Sequence, residues 1–232
     1  MADEVAGRPR VLIEDWLPIE ELGIESRRER AAVHSIPPLS FLHVWWARRP
    51  LVASAAVVIA GLLPSWSPEL AQRYADIPQI RTKRAYHRWL LDLVGIWGDP
   101  VAAKRRLDTA NASGIRLDGP GYEYPQAYKN AIPRSDIGLL HRLLIDFWGE
   151  LPVVCDPTAG GGSIPFAATR LGLPTRANDL NGVSASVLKA GVQYPSTYGS
   201  ELTPHMKKWG TELVARVEKR LKPFFPLENW ER

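Results

Sequence analysis

The sequence has 232 residues, 45% of them hydrophobic and 23% charged, an ordinary composition for a folded protein with a sizeable core. Its one cysteine excludes a disulfide framework and a cysteine-rich zinc site within this chain, so no metal site is predicted. The low cysteine content fits a reducing compartment, and we expect a cytoplasmic protein. The net charge of +4 permits a polyanionic partner without requiring one. The longest nearly apolar run, residues 51–63, is shorter than the roughly 20 residues of a membrane-spanning helix, so no membrane partner is expected.

Residues 1–63 are predicted to form a mainly helical N-terminal segment. Within it, residues 25–30 are mostly charged and are interpreted as a solvated helical face. Pro50 suits the first turn of a helix, and residues 51–63 continue it. Because that run is apolar on all sides, the helix should be buried.

Residues 64–130 are predicted to form an insertion of helices and loops. Apolar side chains recur at helical spacing over residues 80–97, which indicates a helix. Residues 108–130 are rich in glycine, proline, asparagine and tyrosine and are predicted to form a long loop. A loop of that length is usually functional or disordered, and the sequence leaves both readings open.

Residues 131–232 give the clearest pattern: a strand over 152–155, a glycine turn, a helix over 163–171 and a strand over 175–178. This order is one crossover unit of a parallel sheet. The predicted fold class is therefore α/β, a partial Rossmann-like sheet with helices, preceded by the mainly helical N-terminal region. Cys155, inside the first strand, is expected to be buried and inert.

Further helices are predicted over residues 136–148, from Asn181 or Ser184 to Val192, and from residue 203 to residue 221. A sheet of only two or three strands leaves an open edge of unpaired backbone groups. We therefore expect a continuation of the chain or a partner subunit to cover that edge.

The loop after Cys155 reads Asp156-Pro-Thr-Ala-Gly-Gly-Gly162. Its glycines allow positive φ and a close approach of the backbone to a ligand, and the free amides of the next helix can bind a carboxylate. The chain lacks the Gly-Lys-Ser/Thr of triphosphate loops, and its glycines do not match Gly-x-Gly-x-x-Gly. The loop therefore favours the methionine end of S-adenosylmethionine, with Asp156 near the ammonium and sulfonium charges. A tight turn that simply requires glycine is the alternative.

Asp179 follows the second predicted strand, 23 positions after Asp156. A carboxylate at this point can accept hydrogen bonds from both hydroxyls of a ribose, as in dinucleotide-binding folds. Taken alone, Asn178-Asp179 would more simply be a helix cap or a turn. Together with the glycine-rich loop, the spacing predicts that Asp179 binds the ribose.

A third pattern, His43-Val-Trp-Trp-Ala-Arg-Arg-Pro50, precedes the apolar helix. Adjacent tryptophans and arginines at a helix entry can stack on a ring or pair with a carboxylate or phosphate. The same residues are equally consistent with tryptophans in the core and arginines in solvent. Composition does not decide between these readings.

Three stretches together carry a resemblance to a known family: the loop from Asp156 to Phe166, Asn178-Asp-Leu-Asn181, and Trp45-Trp-Ala-Arg-Arg-Pro50. They resemble amino-group DNA methyltransferases and, more narrowly, the large bacterial adenine-specific DNA methylase family, whose N-terminal segment is a domain of unknown function. The resemblance covers residues 11–63 and 131–226. It implies a Rossmann-like sheet, S-adenosylmethionine as methyl donor, and the exocyclic amine of adenine in DNA as acceptor, in a phage-defence or restriction–modification system.

The resemblance also implies roles for individual residues. The methionine-side loop would consist of Asp156, Pro157, Thr158, Ala159, Gly160 and Gly162, and Asp179 would bind the ribose. Trp46, Arg48 and Arg49 would cover the cofactor, and its adenine would lie against Leu180.

The sequence departs from the family in one large respect. Amino methyltransferases carry an Asp/Asn/Ser-Pro-Pro-Tyr/Phe tetrapeptide that holds the flipped base, and none occurs in these 232 residues. No catalytic residue is therefore assigned. The prediction is the S-adenosylmethionine-binding N-terminal part of a DNA adenine-N6 methyltransferase, either a truncated piece or one half of a split enzyme. The alternatives are a non-catalytic cofactor-binding subunit of a modification complex and a methyltransferase acting on RNA or protein; the glycine pattern disfavours an NAD-dependent oxidoreductase.

Overall fold

The computed structural model describes residues 10–31, 36–45 and 48–225, and helices make up most of these residues. In chain order the helices are α1 (Ile19–Arg28), α2 (Leu51–Leu62), α3 (Pro68–Arg73), α4 (Lys83–Val94), α5 (Pro100–Ala112), α6 (Arg134–Trp148), α7 (Ser163–Arg170), α8 (Gly182–Leu188), α9 (Tyr194–Tyr198) and α10 (Leu202–Leu221). The strands β1 (Val154–Asp156) and β2 (Thr175–Ala177) pair in parallel, with Cys155 opposite Arg176. The predicted α/β class is therefore confirmed in its coarse form, as a mostly helical chain with a small parallel sheet.

The apolar helix α2 lies in a buried core that contains residues from all three predicted segments. Ala56 is 0% exposed and Ile59 is 1% exposed, so the predicted burial of this helix is confirmed. A helix that is apolar on nearly every side must be covered on nearly every side. Accordingly, α2 packs against α1, α4 and α7. Because α2 contacts α7, the residues that precede these two helices lie close to one another.

Helix α4 begins and ends three residues inside the predicted helix over 80–97. At its start, the Thr82 hydroxyl accepts a hydrogen bond from the backbone N–H of Ala85 at 3.1 Å. At its end, Gly95 adopts a left-handed conformation with φ of 96°. Both are ordinary boundary signals of helices. The inner face of α4 places Trp89 in the core, where it is 1% exposed.

Helix α5 was not predicted, and its last residues lie in the segment predicted as a loop. The Asp99 carboxylate accepts a hydrogen bond from the backbone N–H of Ala102 at 2.9 Å, and Pro100 occupies the first helical position. Both signals are present in the sequence. Pattern reasoning missed the helix because its buried face consists of small side chains, those of Pro100, Ala103 and Ala110, and gives little hydrophobic signal.

The solvated face predicted for residues 25–30 is wrong at two positions, because Glu25 is 1% exposed and Glu29 is 4% exposed. Glu25 forms an ion pair with Arg28 at 3.1 Å and accepts a hydrogen bond from the Tyr124 hydroxyl at 3.1 Å. The Arg28 guanidinium lies 4.2 Å from the centre of the Tyr122 ring. Buried charges need partners of this kind. The end of α1 is thereby joined to the loop that follows α5.

The unit β1–α7–β2 has the predicted order of strand, glycine turn, helix and strand. Helix α7 packs against both strands and covers one face of the sheet. The expected burial of Cys155 is wrong, because its side chain is exposed, as is that of Val153 two positions earlier. Side chains two positions apart share a face of a strand. Within the described residues, the face of β1 that carries Cys155, together with Val153 just before the strand, is therefore uncovered.

Helix α10 follows the predicted span closely, but none of its residues is buried. Its apolar side chains recur three and four positions apart and are between 42% and 69% exposed, namely Met206, Trp209, Leu213, Val214, Val217 and Leu221. The described part of the chain contains no helix that is both long enough and apolar enough to cross a membrane.

Candidate ligand site at the glycine loop

A cavity of about 180 Å³ separates the glycine loop, residues 156–162, from the residues that precede α2. Thr158, Ala159, Gly160 and Gly161 line one side of it, and Trp45, Arg48 and Arg49 line the other. Two of the three patterns found in the sequence therefore meet in space. Their separation in the chain exceeds 100 residues, and the packing of α2 on α7 brings them together.

Both helices begin at the cavity, since Leu51 of α2 and Ser163 of α7 contribute to its lining. Their N-termini differ in one respect. The first two amides of α2 bind the Glu29 carboxylate, whereas no side chain caps α7, whose preceding residue is Gly162. The N-terminus of a helix carries a partial positive charge. With Arg48 and Arg49 opposite, the cavity suits a small anionic group such as a carboxylate.

The middle glycine of the sequence motif, Gly161, has its own role. A Cβ at this position would lie 2.9 Å from Cδ1 of Trp45, closer than side-chain carbons approach in folded proteins. Its neighbours Gly160 and Gly162 have φ of 51° and 79°. The loop therefore requires glycine for conformation at two positions and for close approach of the indole at the third.

Asp179 binds the glycine loop directly. Its Oδ2 accepts a hydrogen bond from the backbone N–H of Gly160 at 2.8 Å, and its Oδ1 accepts one from Asn181 at 2.9 Å. These backbone donors, Asn181 and then Gly160, hold the pKa of Asp179 below its ordinary value. The structure thus brings together the loop and the acidic residue that the sequence spacing connected, with the carboxylate ionised at neutral pH.

Two further hydrogen bonds join the loop to the end of β2, and a third joins it to α8. The backbone N–H of Asn178 donates to the carbonyl of Asp156 at 2.9 Å, and that of Ala159 donates to the carbonyl of Asn178 at 3.0 Å. The Ser184 hydroxyl donates to the carbonyl of Gly160 at 2.6 Å, and Ser184 is fully buried. Sequence reasoning missed Ser184 as a loop contact, because a serine in a helix gives no signal of a partner 24 positions away.

Asp156 itself faces the loop backbone. The residue is 9% exposed, and its Oδ1 accepts a hydrogen bond from the backbone N–H of Thr158 at 3.2 Å. Asp156 does not line the cavity, and Pro157 is exposed beside it. Its carboxylate lies at the carboxyl end of β1, where ligands of α/β sheets bind.

Two predicted ligand contacts remain, those of Leu180 and Trp46. Leu180 is fully exposed, so within the described residues no side chain encloses it as the wall of an adenine pocket. Trp46 lies outside the described residues. Its neighbour Trp45 lines the cavity. Trp45 also contacts the His43 ring edge-on, with ring centres 4.6 Å apart. Among the residues described, no group of histidine, cysteine, aspartate and glutamate side chains could hold a metal ion.

Comparison with known proteins gives one match. Residues 16–87 match a family described as a protein of unknown function, DUF1156. No curated protein and no solved structure matches the chain. The matched residues include the segment that carries Trp45, Arg48 and Arg49, so one side of the cavity belongs to the region of similarity.

Proposed function

We propose that this chain binds S-adenosylmethionine and forms the cofactor-binding part of a DNA adenine-N6 methyltransferase. The observation that carries the proposal is the cavity in which Arg48, Arg49 and the uncapped start of α7 surround the glycine loop, while Asp179 binds that loop from the side of β2. When bound, the cofactor supplies the methyl group. The protein residues supply charge, hydrogen bonds and shape.

Two parts of this cofactor, its carboxylate and its ribose, have candidate partners in the chain. A methionine carboxylate matches the cavity beside Arg48 and Arg49, because guanidinium groups and helix amides both bind carboxylates. Asp179, ionised and at the end of β2, is the carboxylate that would accept hydrogen bonds from the ribose hydroxyls, beside those it already accepts from Gly160 and Asn181. The volume of 180 Å³ is below the roughly 300 Å³ of a site that encloses a whole small molecule, and suits the amino-acid end alone.

The order β1–α7–β2 supports a Rossmann-like arrangement for the rest of the site, since ligands of such sheets lie at the carboxyl ends of the strands. The match to residues 16–87 overlaps the stretch whose Trp-Trp-Ala-Arg-Arg-Pro sequence resembles the bacterial adenine-specific methylases. DNA as the acceptor rests on that resemblance.

The acceptor side of the reaction requires groups that these 232 residues do not display in the family's usual form. Transfer to an amine needs a hydrogen-bond acceptor that orients the amine toward the methyl group. We propose that another polypeptide segment, in the same protein or in a partner subunit, supplies it. The absent tetrapeptide also favours a second candidate, a non-catalytic cofactor-binding subunit of a modification complex.

Replacing Asp179 with alanine tests the proposal. Isothermal titration calorimetry should show that the unmodified chain binds S-adenosylmethionine, and that the variant binds it about tenfold more weakly or worse, the cost of losing hydrogen bonds to a charged group. The same loss is expected for 5′-methylthioadenosine, which retains the ribose. Asp118→Ala, an exposed aspartate in the loop after α5, is the matched control. Tighter binding of NAD than of S-adenosylmethionine by the unmodified chain would refute the proposal.

A second substitution tests which end of the ligand the two arginines contact. The double variant Arg48→Ala, Arg49→Ala should bind S-adenosylmethionine about tenfold more weakly, because a charge-assisted pair with the carboxylate is lost. Its affinity for 5′-methylthioadenosine should stay unchanged, since that compound lacks the carboxylate. The control is Lys207→Ala, Lys208→Ala, which removes two adjacent exposed cations from α10. Equal losses for both compounds would show that the arginines do not contact the amino-acid end.

A further inference from the structure

The start of α2 is capped from a distance. Its own N-cap residue is Pro50, which has no side-chain acceptor. The carboxylate of Glu29 takes that place: Oε1 accepts a hydrogen bond from the backbone N–H of Leu51 at 2.9 Å, and Oε2 accepts one from Val52 at 3.2 Å. One carboxylate thus satisfies two of the amides that a helix start leaves unpaired.

Arg30, the residue after Glu29, also contacts the chain near the start of α2. The guanidinium of Arg30 donates a hydrogen bond to the backbone carbonyl of Arg48. Glu29 and Arg30 are adjacent at the end of α1. Glu29 therefore binds the chain just after Pro50, at Leu51 and Val52, and Arg30 binds it two residues before Pro50, at Arg48. The residues between these two attachments, 48–50, form what we call the arginine segment. Its two arginine side chains line the cavity at the glycine loop.

Burial of the Glu29 carboxylate is energetically unfavourable unless its hydrogen bonds are kept. Glu29 is 4% exposed, and burial raises the pKa of its carboxyl, while the hydrogen bonds from Val52 and Leu51 oppose that rise. The end of α1 is in turn fixed by Glu25, which binds both Arg28 and the Tyr124 hydroxyl. The end of α1, from which Glu29 reaches α2, is therefore itself held in place by side-chain contacts.

We infer that Glu29 and Arg30 are positioning residues, which hold the arginine segment over the glycine loop so that Arg48 and Arg49 meet the anionic end of the ligand. This inference rests on the proposed function for the identity of the ligand. It assigns no contact between Glu29 or Arg30 and the ligand. Both act through the backbone of the segment.

The test uses Glu29→Gln, which keeps the size of the side chain and removes its charge and one acceptor. Affinity for S-adenosylmethionine should fall about tenfold, the upper part of the range for a lost helix cap. Glu20→Gln, the same substitution at an exposed position of α1, is the control. Arg30→Met should act in the same direction, with Arg27→Met as its control.

A double-mutant cycle separates positioning from a general loss of stability. In the background Arg48→Ala, Arg49→Ala, Glu29→Gln should have no further effect on affinity, because the groups through which it acts are gone. An equal loss in both backgrounds would overturn the inference, as would an unchanged affinity in the single variant.

Amide hydrogen exchange tests the inference on the free protein, without any ligand. Glu29→Gln should accelerate exchange of the Leu51 and Val52 amides in the free protein, while amides of α6 keep their protection. If the unmodified chain failed to bind S-adenosylmethionine, the proposed function would fall, and this measurement would still decide the role of Glu29. Unchanged exchange at both amides would overturn it.

Discussion

Replacing Gly95 with alanine is expected to lower the free energy of unfolding by about 3 kcal/mol, near the upper end of single-residue effects. Gly95 ends α4 with φ of 96°, a conformation that other residues adopt at a cost. A Cβ there would also lie 2.3 Å from the carbonyl oxygen of Ala127, and backbone cannot move aside as a flexible side chain can. The Gly95 carbonyl meanwhile accepts a hydrogen bond from the buried Asn130 side chain at 2.7 Å.

Gly114→Ala is the matched control for that prediction. Gly114 also has positive φ, 64°, but a Cβ there would meet no atom within 4 Å. Gly114→Ala should lower the free energy of unfolding by only about 1 kcal/mol, because it carries the conformational cost alone. Urea unfolding followed by circular dichroism measures both variants. Equal destabilisation of the two would show that the Ala127 contact does not matter.

Replacing Gly161 with valine is expected to weaken binding of S-adenosylmethionine about 100-fold, because forcing a larger side chain into filled space costs up to about 3 kcal/mol, which corresponds to that factor. The new side chain would occupy the space where the Trp45 indole approaches the loop, since a Cβ alone would be 2.9 Å from it. Displacing Trp45 would change the wall of the cavity that Arg48 and Arg49 share. Because Trp45 is only partly buried, the free energy of unfolding should change far less than the affinity.

The control for this prediction is Gly210→Val, on the exposed helix α10, where a Cβ would meet no atom within 4 Å. Calorimetry with S-adenosylmethionine and urea unfolding should be run on both variants. An unchanged affinity for Gly161→Val would show that the indole and the loop do not form one surface. A fall in stability as large as the fall in affinity would point to a defect of folding instead.

The parts of the fold with strong local patterns were predictable. The apolar helix α2, the amphipathic helix α6 and the crossover from β1 to β2 each follow from spacing and composition. Helix α5 was missed although Asp99 and Pro100 are typical of a helix start, because its buried positions carry only small side chains. The charges of Glu25 and Glu29 were assigned to solvent, since their buried partners come from distant parts of the chain.

The candidate site shows the same division. The contact of Asp179 with the glycine loop follows from motif spacing, because a crossover unit places the ends of both strands side by side. The meeting of the arginines with that loop was predicted through a resemblance, and it depends on the packing of α2 against α7. Neither Ser184 nor Glu29 was predicted, since each acts through backbone atoms far away in sequence. Local pattern identifies candidate ligand-binding segments better than the residues that hold them in place.

The uncovered face of β1 has a consequence for the chemistry of the chain. Cys155 is the one thiol in the sequence, and it stands on that face directly before Asp156 of the glycine loop. Any chain that extended the structure over this face would shield a sulfur that is otherwise open to alkylating reagents. The rate at which that single thiol is alkylated therefore reports on whether the sheet is covered. The chain therefore contains its own reporter for the covering of this face.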